Sequence, residues 1–191
     1  MDREIELRLV VRLKAGDPDA FEAIYEAYRP RLFGFLARLS RRRDVAEDLL
    51  EETWVRLVTR CATLSDDARL GPWLFTVARN LYFSWRRSRG VDEARTSELD
   101  PAWPAPERGD SPFEAAARRE LERRVETALA RLPLRDREVL LLVGVEGLTP
   151  SEAAEACGVP AVTLRARLHR AREKLAAEMD ADRAVARART G

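Results

Sequence analysis

The sequence predicts an all-α protein of two small helical domains joined by a flexible acidic linker, the second domain containing a helix-turn-helix. Three observations predict it. Apolar residues recur with a period of about 3.6 in nearly every ordered-looking segment, and no stretch alternates convincingly as a strand would. A proline-rich, acidic stretch interrupts that periodicity in mid-chain. Beyond it, an alanine and a glycine four residues apart lead into a strongly basic helix.

Taken in order, Asp17 before Pro18 reads as a capping acid ahead of a first-turn proline. Phe21, Ile24, Tyr25 and Tyr28 then fall at i, i+3, i+4, i+7 and predict one buried face, and Leu32, Phe35, Leu36 and Leu39 repeat it in the next helix. DVAEDLLEETWVRLVTR supplies a third helix and PWLFTVARNLYFSWRRSR a fourth, closing a first domain over residues 1–91. Residues 92–112, with Pro101, Pro104, Pro106 and Pro112, form the linker. Helices resume at the capping box Ser111-Pro112-Phe113-Glu114, and Phe113, Ala117, Leu121, Val125 and Leu129 predict the buried face that follows. LPLRDREVLLLVGVEG is the next helix, and TPSEAAEACGVPAVTLRARLHRAREKLAAEM supplies two more in a second domain over 113–179. The Arg- and Ala-rich residues 180–191 are expected to fray into a disordered tail.

The chain has 191 residues, of which 46% are hydrophobic and 35% charged, enough for a core and typical of long exposed helices. Its two cysteines, Cys61 and Cys157, lack zinc-site spacing and read as small core residues, so neither a disulfide framework nor a metal is expected. The N-terminus has no signal-peptide apolar run, and nothing approaches the roughly 18 apolar residues of a membrane span. A soluble, cytoplasmic protein without membrane insertion is the expectation. Net charge is only +1, but its distribution is uneven. Four arginines and no acid lie between Arg79 and Gly90; five basic residues and one acid lie between Ala161 and Leu175; residues 91–122 carry nine acids against four arginines. Two basic stretches separated by an acidic one suggest two nucleic-acid contacts.

Three constellations carry chemistry. In the helix-turn-helix, Thr149-Pro150-Ser151-Glu152 is a capping box, Ala154 permits a close crossing, and Gly158 can take positive φ in the turn. Leu164 and Leu168 anchor the second helix, leaving Arg165, Arg167, His169, Arg170 and Arg172 for its other faces. Arginines so placed can grip guanine or phosphate in a major groove; a merely solvated basic hairpin is the alternative. In the fourth helix, Arg79, Asn80, Tyr82, Phe83, Trp85, Arg86 and Arg87 interleave aromatics, an amide and cations. That mixture suits unstacked bases, although the aromatics taken alone read as core and Asn80 could simply brace a loop. In the third helix, most of Asp44, Glu47, Asp48, Glu51 and Glu52 share a face beside Leu49, Leu50 and Trp54. Spacing alone favours a solvated face; a basic partner is the other reading.

Together and in this order, the three segments resemble the extracytoplasmic-function sigma factors of bacterial RNA polymerase. DVAEDLLEETW is similar to that family's polymerase-binding segment, PWLFTVARNLYFSWRRSR to its minus-ten segment, and LPLRDREVLL through HRAREKL to its minus-thirty-five domain. The resemblance implies a factor that binds core RNA polymerase, directs it to promoter DNA and helps melt it. It assigns Asp44, Glu47, Asp48, Leu49, Glu51, Glu52 and Trp54 to polymerase; Arg79, Asn80, Phe83, Ser84, Arg86 and Arg87 to the minus-ten element, with Asn80 at the pocket for a flipped base; and Thr163, Arg165, Ala166, Arg167, His169 and Arg170 to the minus-thirty-five groove. It also implies a cognate anti-sigma protein, and a linker that threads polymerase channels. Glu51 stands where glutamine is commoner, Val162 where a small residue usually opens the recognition helix, and Ala166 where serine is usual; these leave the promoter sequence open. The competing readings are a one-component helix-turn-helix regulator that never touches polymerase, a helical adaptor without DNA affinity, and an enzyme. The last finds one histidine, no Gly-rich phosphate loop and no nucleophile elbow, so no catalytic residue, cofactor or metal is assigned.

Overall fold

The computed structural model describes residues 2–65, 67–90 and 112–190, without the side chains of 112–114 and 183–190. The linker and the Ser111 capping box lie outside the described residues. Those described are helical, with no strand among them.

The first helix, α1 (Arg3–Lys14), is one the sequence reading passed over. Asp2 caps it, accepting from the Glu4 amide at 2.9 Å, and Leu9, Val10 and Leu13 bury its inner side. Glu6 ties it down: its buried carboxylate accepts from the Gly71 amide at 3.0 Å and from the Tyr28 hydroxyl at 3.3 Å. Burial and that carboxylate push the Tyr28 hydroxyl up to about 12. Gly71 lets the helices approach closely: a Cβ there would stand 3.1 Å from the Tyr28 oxygen, tighter than an ordinary contact.

The two helices expected between Asp17 and Leu39 are one, α2 (Pro18–Ser40), with Pro30 inside it. An internal proline costs roughly 3 kcal/mol or more, but this one is exposed. Ile24, Tyr28, Leu32, Phe35, Leu36 and Leu39 are all buried, so both predicted apolar quartets serve the same core and packing holds the helix together. Arg41 ends it in the left-handed region at φ 57°. Next come α3 (Arg43–Arg60), a tight turn at Cys61–Thr63, and α4 (Leu70–Arg89), which Gly90 closes at φ 57°. The centre of this domain is Phe35 against Phe75, edge to face with centroids 5.5 Å apart.

The second domain comprises α5 (Pro112–Arg131), α6 (Leu134–Leu140) with a wide π-turn through Val145, α7 (Pro150–Cys157) and α8 (Ala161–Thr190). Only part of the face expected on α5 is covered: Leu129 is buried and Val125 half-buried, while Ala117 is exposed and Leu121 is 49% exposed. A strict four-residue repeat drifts around a helix of 3.6 residues per turn, and α5 packs chiefly on α8. The expected disordered tail is a continuation of α8. Alanine and arginine are strong helix formers, and Arg131 holds the segment by pairing with Asp182 at 2.8 Å and Glu178 at 3.6 Å. The two domains meet, α4 resting on α7 and α2 touching α6.

Phe35→Ala removes half of the central ring pair and should destabilise the first domain by about 3–5 kcal/mol. Denaturant unfolding of the full chain, followed by far-UV circular dichroism, measures it.

Candidate functional site

Three faces carry the residues singled out from the sequence. On α3, Asp44, Glu47, Asp48 and Glu51 are exposed and Glu52 is half-exposed. Asp44 pairs with Arg42, Glu47 with Arg43 at 2.9 Å and Glu52 with Arg56 at 2.8 Å. Asp48 and Glu51 have no pairing partner among the described residues. Leu49 and Trp54, expected on the same face, turn inward; each is 7% exposed, and the Trp54 ring lies 5.0 Å from Tyr25 and 6.1 Å from Phe21. They hold the helix to the core and leave the acids outside, because a surface helix turns its apolar stripe to the core and its charged residues to the opposite side.

On α4 the predicted residues divide. Asn80, Ser84 and Arg87 are exposed and recur at i, i+4, i+7. Asn80 sits inside the helix, so it does not brace a loop; its side-chain oxygen accepts from Arg79 at 3.0 Å. Arg86 is half-buried. Arg79 and Phe83 point at the second domain. The Arg79 Nε donates to Glu138 at 2.6 Å, its Nη2 to the Cys157 carbonyl at 3.4 Å, and the guanidinium carbons of Arg79 and Arg135 each lie 4.4 Å from the Phe83 ring centroid. Tyr82 is buried edge-on to Phe83, while Trp85 is only partly covered.

The helix-turn-helix forms as its residues require. Thr149 accepts from the Glu152 amide while the Glu152 carboxylate accepts from the Thr149 amide at 2.8 Å. Gly158 takes φ 64°, a conformation other residues adopt only at a cost. Leu164, Leu168 and Ala171 pin α8 from beneath. Thr163, Arg165, Ala166, His169 and Arg170 are exposed, and Arg167 is half-buried. Glu173 lies 3.5 Å from His169.

What the sequence reading missed is the polar seam between the domains. Arg31 donates to the Glu146 carboxylate at 3.1 Å and to its carbonyl at 2.9 Å; Arg38 pairs with Glu126 at 2.7 Å; Arg69 pairs with Glu152; Arg137 donates to the Arg38 carbonyl at 3.2 Å. Glu138, fully buried, receives Arg79 and Arg135 together. The available signal was an acid set against an apolar run, in REVLLLV and again in GVEG. Burial raises the Glu146 carboxyl to about 7, with Arg31 opposing the shift. Burial, then the Glu138 charge, pushes the Cys157 thiol up to about 12, which makes it a packing residue rather than a nucleophile. No group of three potential metal ligands stands together among the described residues.

Comparison with known proteins places two family models on these domains: Sigma-70 region 2 on residues 24–91 and Sigma-70 region 4 on residues 122–175. The chain is 34% identical to RNA polymerase sigma factor CarQ of Myxococcus xanthus, over 86% of this chain and 91% of that one. It is 35% identical to the ECF RNA polymerase sigma factor EcfG of Rhodopseudomonas palustris, over 80% and 81%. Among solved structures it resembles the sigma factor RpoE of Bartonella quintana, crystallised with the anti-sigma factor NepR: TM-score 0.67, 27% identity, 85% of this chain and 98% of that one covered.

The Glu146 site makes the seam pH-dependent. Its carboxyl is raised from 4.5 to about 7 in the closed chain, so the closed form holds a proton that an open or unfolded chain releases. The contribution is fully present below about pH 4.5 and is lost as pH rises through about 7. Glu146→Gln should flatten this part of the pH profile, read by fluorescence energy transfer between labels on the two domains. An unchanged slope in the variant would assign the effect elsewhere.

Proposed function

The chain belongs to the extracytoplasmic-function sigma factors of bacterial RNA polymerase, and from that premise we infer how its three faces divide the work. It is a non-catalytic initiation factor that binds core RNA polymerase, directs it to specific promoters and helps melt them. A regulator acting through its helix-turn-helix alone would leave the region 2 match over 24–91 without a role.

The acidic face of α3 is the polymerase-docking surface, with Asp48 and Glu51 its available charges and Leu49 and Trp54 setting its position from behind. The exposed line of Asn80, Ser84 and Arg87 on α4 receives the displaced strand at the minus-ten element. Asn80 carries both a donor and an acceptor for a base edge, and a captured base offsets the few kcal/mol of lost stacking that flipping costs. Arg86 and Arg87 lie at the end of α4 where phosphates would pass. The exposed face of α8 enters the major groove at the minus-thirty-five element, as recognition helices do. The observation that carries this reading is that acidic, mixed and basic faces lie on three successive parts of one chain, each turned outward.

Arg79 and Phe83 reach DNA only when the second domain leaves α4. The α3 acids are exposed in the closed chain, so polymerase can dock first and the domains part afterwards. The solved relative is complexed with an anti-sigma factor, and a partner of that kind, holding this chain from polymerase, is part of the proposal. The place of action is the cytoplasm; no helix among the described residues is long and apolar enough to cross a membrane.

Reversing Asp48 and Glu51 to Lys should abolish binding to core polymerase while melting shifts by less than about 0.5 kcal/mol, the usual limit for exposed positions. Unchanged affinity would return the face to solvent. Asn80→Ala should leave core binding intact and weaken permanganate reactivity at unpaired thymines of a promoter selected from a random library. A template already mismatched across the minus-ten region should restore part of the loss. Equal loss on both templates, with a lower melting temperature, would mean that Asn80 serves the fold.

A further inference from the structure

Successive residues of an α-helix turn by about 100°. On α8 the buried side is set by Leu164, Leu168 and Ala171. Val162 and Ala166 then fall almost diametrically opposite that side, with Arg165 and Arg170 to either flank. A recognition helix pinned from one side drives the opposite side deepest into the groove, and its first turns lie nearest the base edges. The deepest line of this helix therefore begins with two apolar side chains, and the arginines stand beside it, towards the backbones.

Val162 is 71% exposed, more than any other large apolar side chain among the described residues. Single exposed apolar residues are ordinary, and Val55, Val58 and Val11 are about half exposed without such a setting. Val162 differs in lying on the deepest line of a basic helix, in its first turn, one turn before an exposed alanine. Its environment in the bound state is a base edge. A branched methyl pair has nothing to offer the amino group of cytosine or the acceptors of guanine, which it would strip of water without replacing a hydrogen bond. Against the 5-methyl group of thymine it makes an apolar contact of the kind that reads A·T pairs in the major groove.

We propose that Val162, supported by Ala166, reads a thymine 5-methyl group in the upstream promoter element and so fixes one A·T pair of its sequence. The inference rests on the reading of α8 as the helix that enters that element. It moves part of the sequence readout from the arginines to the apolar ridge between them.

The test uses the full chain with core polymerase on an upstream element selected from a random library. Each thymine of that element is replaced in turn by deoxyuracil, which lacks only the 5-methyl group. Burying one methyl is worth roughly a fourfold change in affinity. One thymine should show that loss with the unaltered chain and none with Val162→Ser, whose melting should match the parent because the side chain is exposed. Insensitivity of every thymine to deoxyuracil, or equal sensitivity in both proteins, overturns the proposal while leaving the sigma-factor reading intact. Absence of any upstream sequence preference overturns both the proposal and the reading of α8 as the helix that enters that element.

Discussion

Glu138 has no access to water, and burying a carboxylate is costly unless it is matched within hydrogen-bond reach. It is matched twice, by Arg79 from the first domain and by Arg135 from its own, and the two guanidinium groups also share the ring of Phe83. Removing either arginine would leave a buried charge partly unanswered, which is far more damaging than losing a surface pair. The closed arrangement is organised round this point. The packing of α4 on α7, the Arg38–Glu126 and Arg31–Glu146 pairs and the inward turn of Phe83 lie along the same seam as Arg79 and that carboxylate.

The acids of the molecule thus fall into two populations with opposite duties. Glu6, Glu138 and Glu146 are buried and connect elements distant in the chain, α1 to α4 or one domain to the other. On α3, Asp44, Glu47, Asp48 and Glu51 are exposed, and Asp48 and Glu51 meet no described cation. Arginines divide in the same way. Arg31, Arg38 and Arg79 serve the seam, whereas Arg165 and Arg170 stand out in solvent on α8. A small net charge conceals this sorting, which is why bulk composition says so little about partners.

Features fixed by local chemistry were legible in the residues. The Thr149 capping box, the left-handed Gly158 and the leucine pair under α8 each need only a few neighbouring positions, and each formed as its types require. Features settled by distant packing were not. Pro30 reads as a break between two helices, and only the shared core shows why α2 runs through it. The regular charges of α1 hid an apolar side made by Leu9, Val10 and Leu13, whose value depends on what covers it. The α8 extension is also met by Arg131, some fifty residues upstream, through its pair with Asp182. For the candidate faces, residue type and spacing identified the elements. They could not say which members would look outward, so Leu49, Trp54, Arg79 and Phe83 joined exposed neighbours from which the folded chain separates them.

The Arg79–Glu138 contact has one more consequence. On the proposed minus-ten role of Arg79, a carboxylate from the second domain occupies the guanidinium that a phosphate would take, and the chain competes with its own ligand. In such a molecule the apparent affinity for a displaced strand is the intrinsic affinity scaled by the fraction of chains that stand open. Isolated α4 chemistry and whole-chain binding are then different quantities, and the ratio between them measures how firmly one domain impersonates DNA for the other.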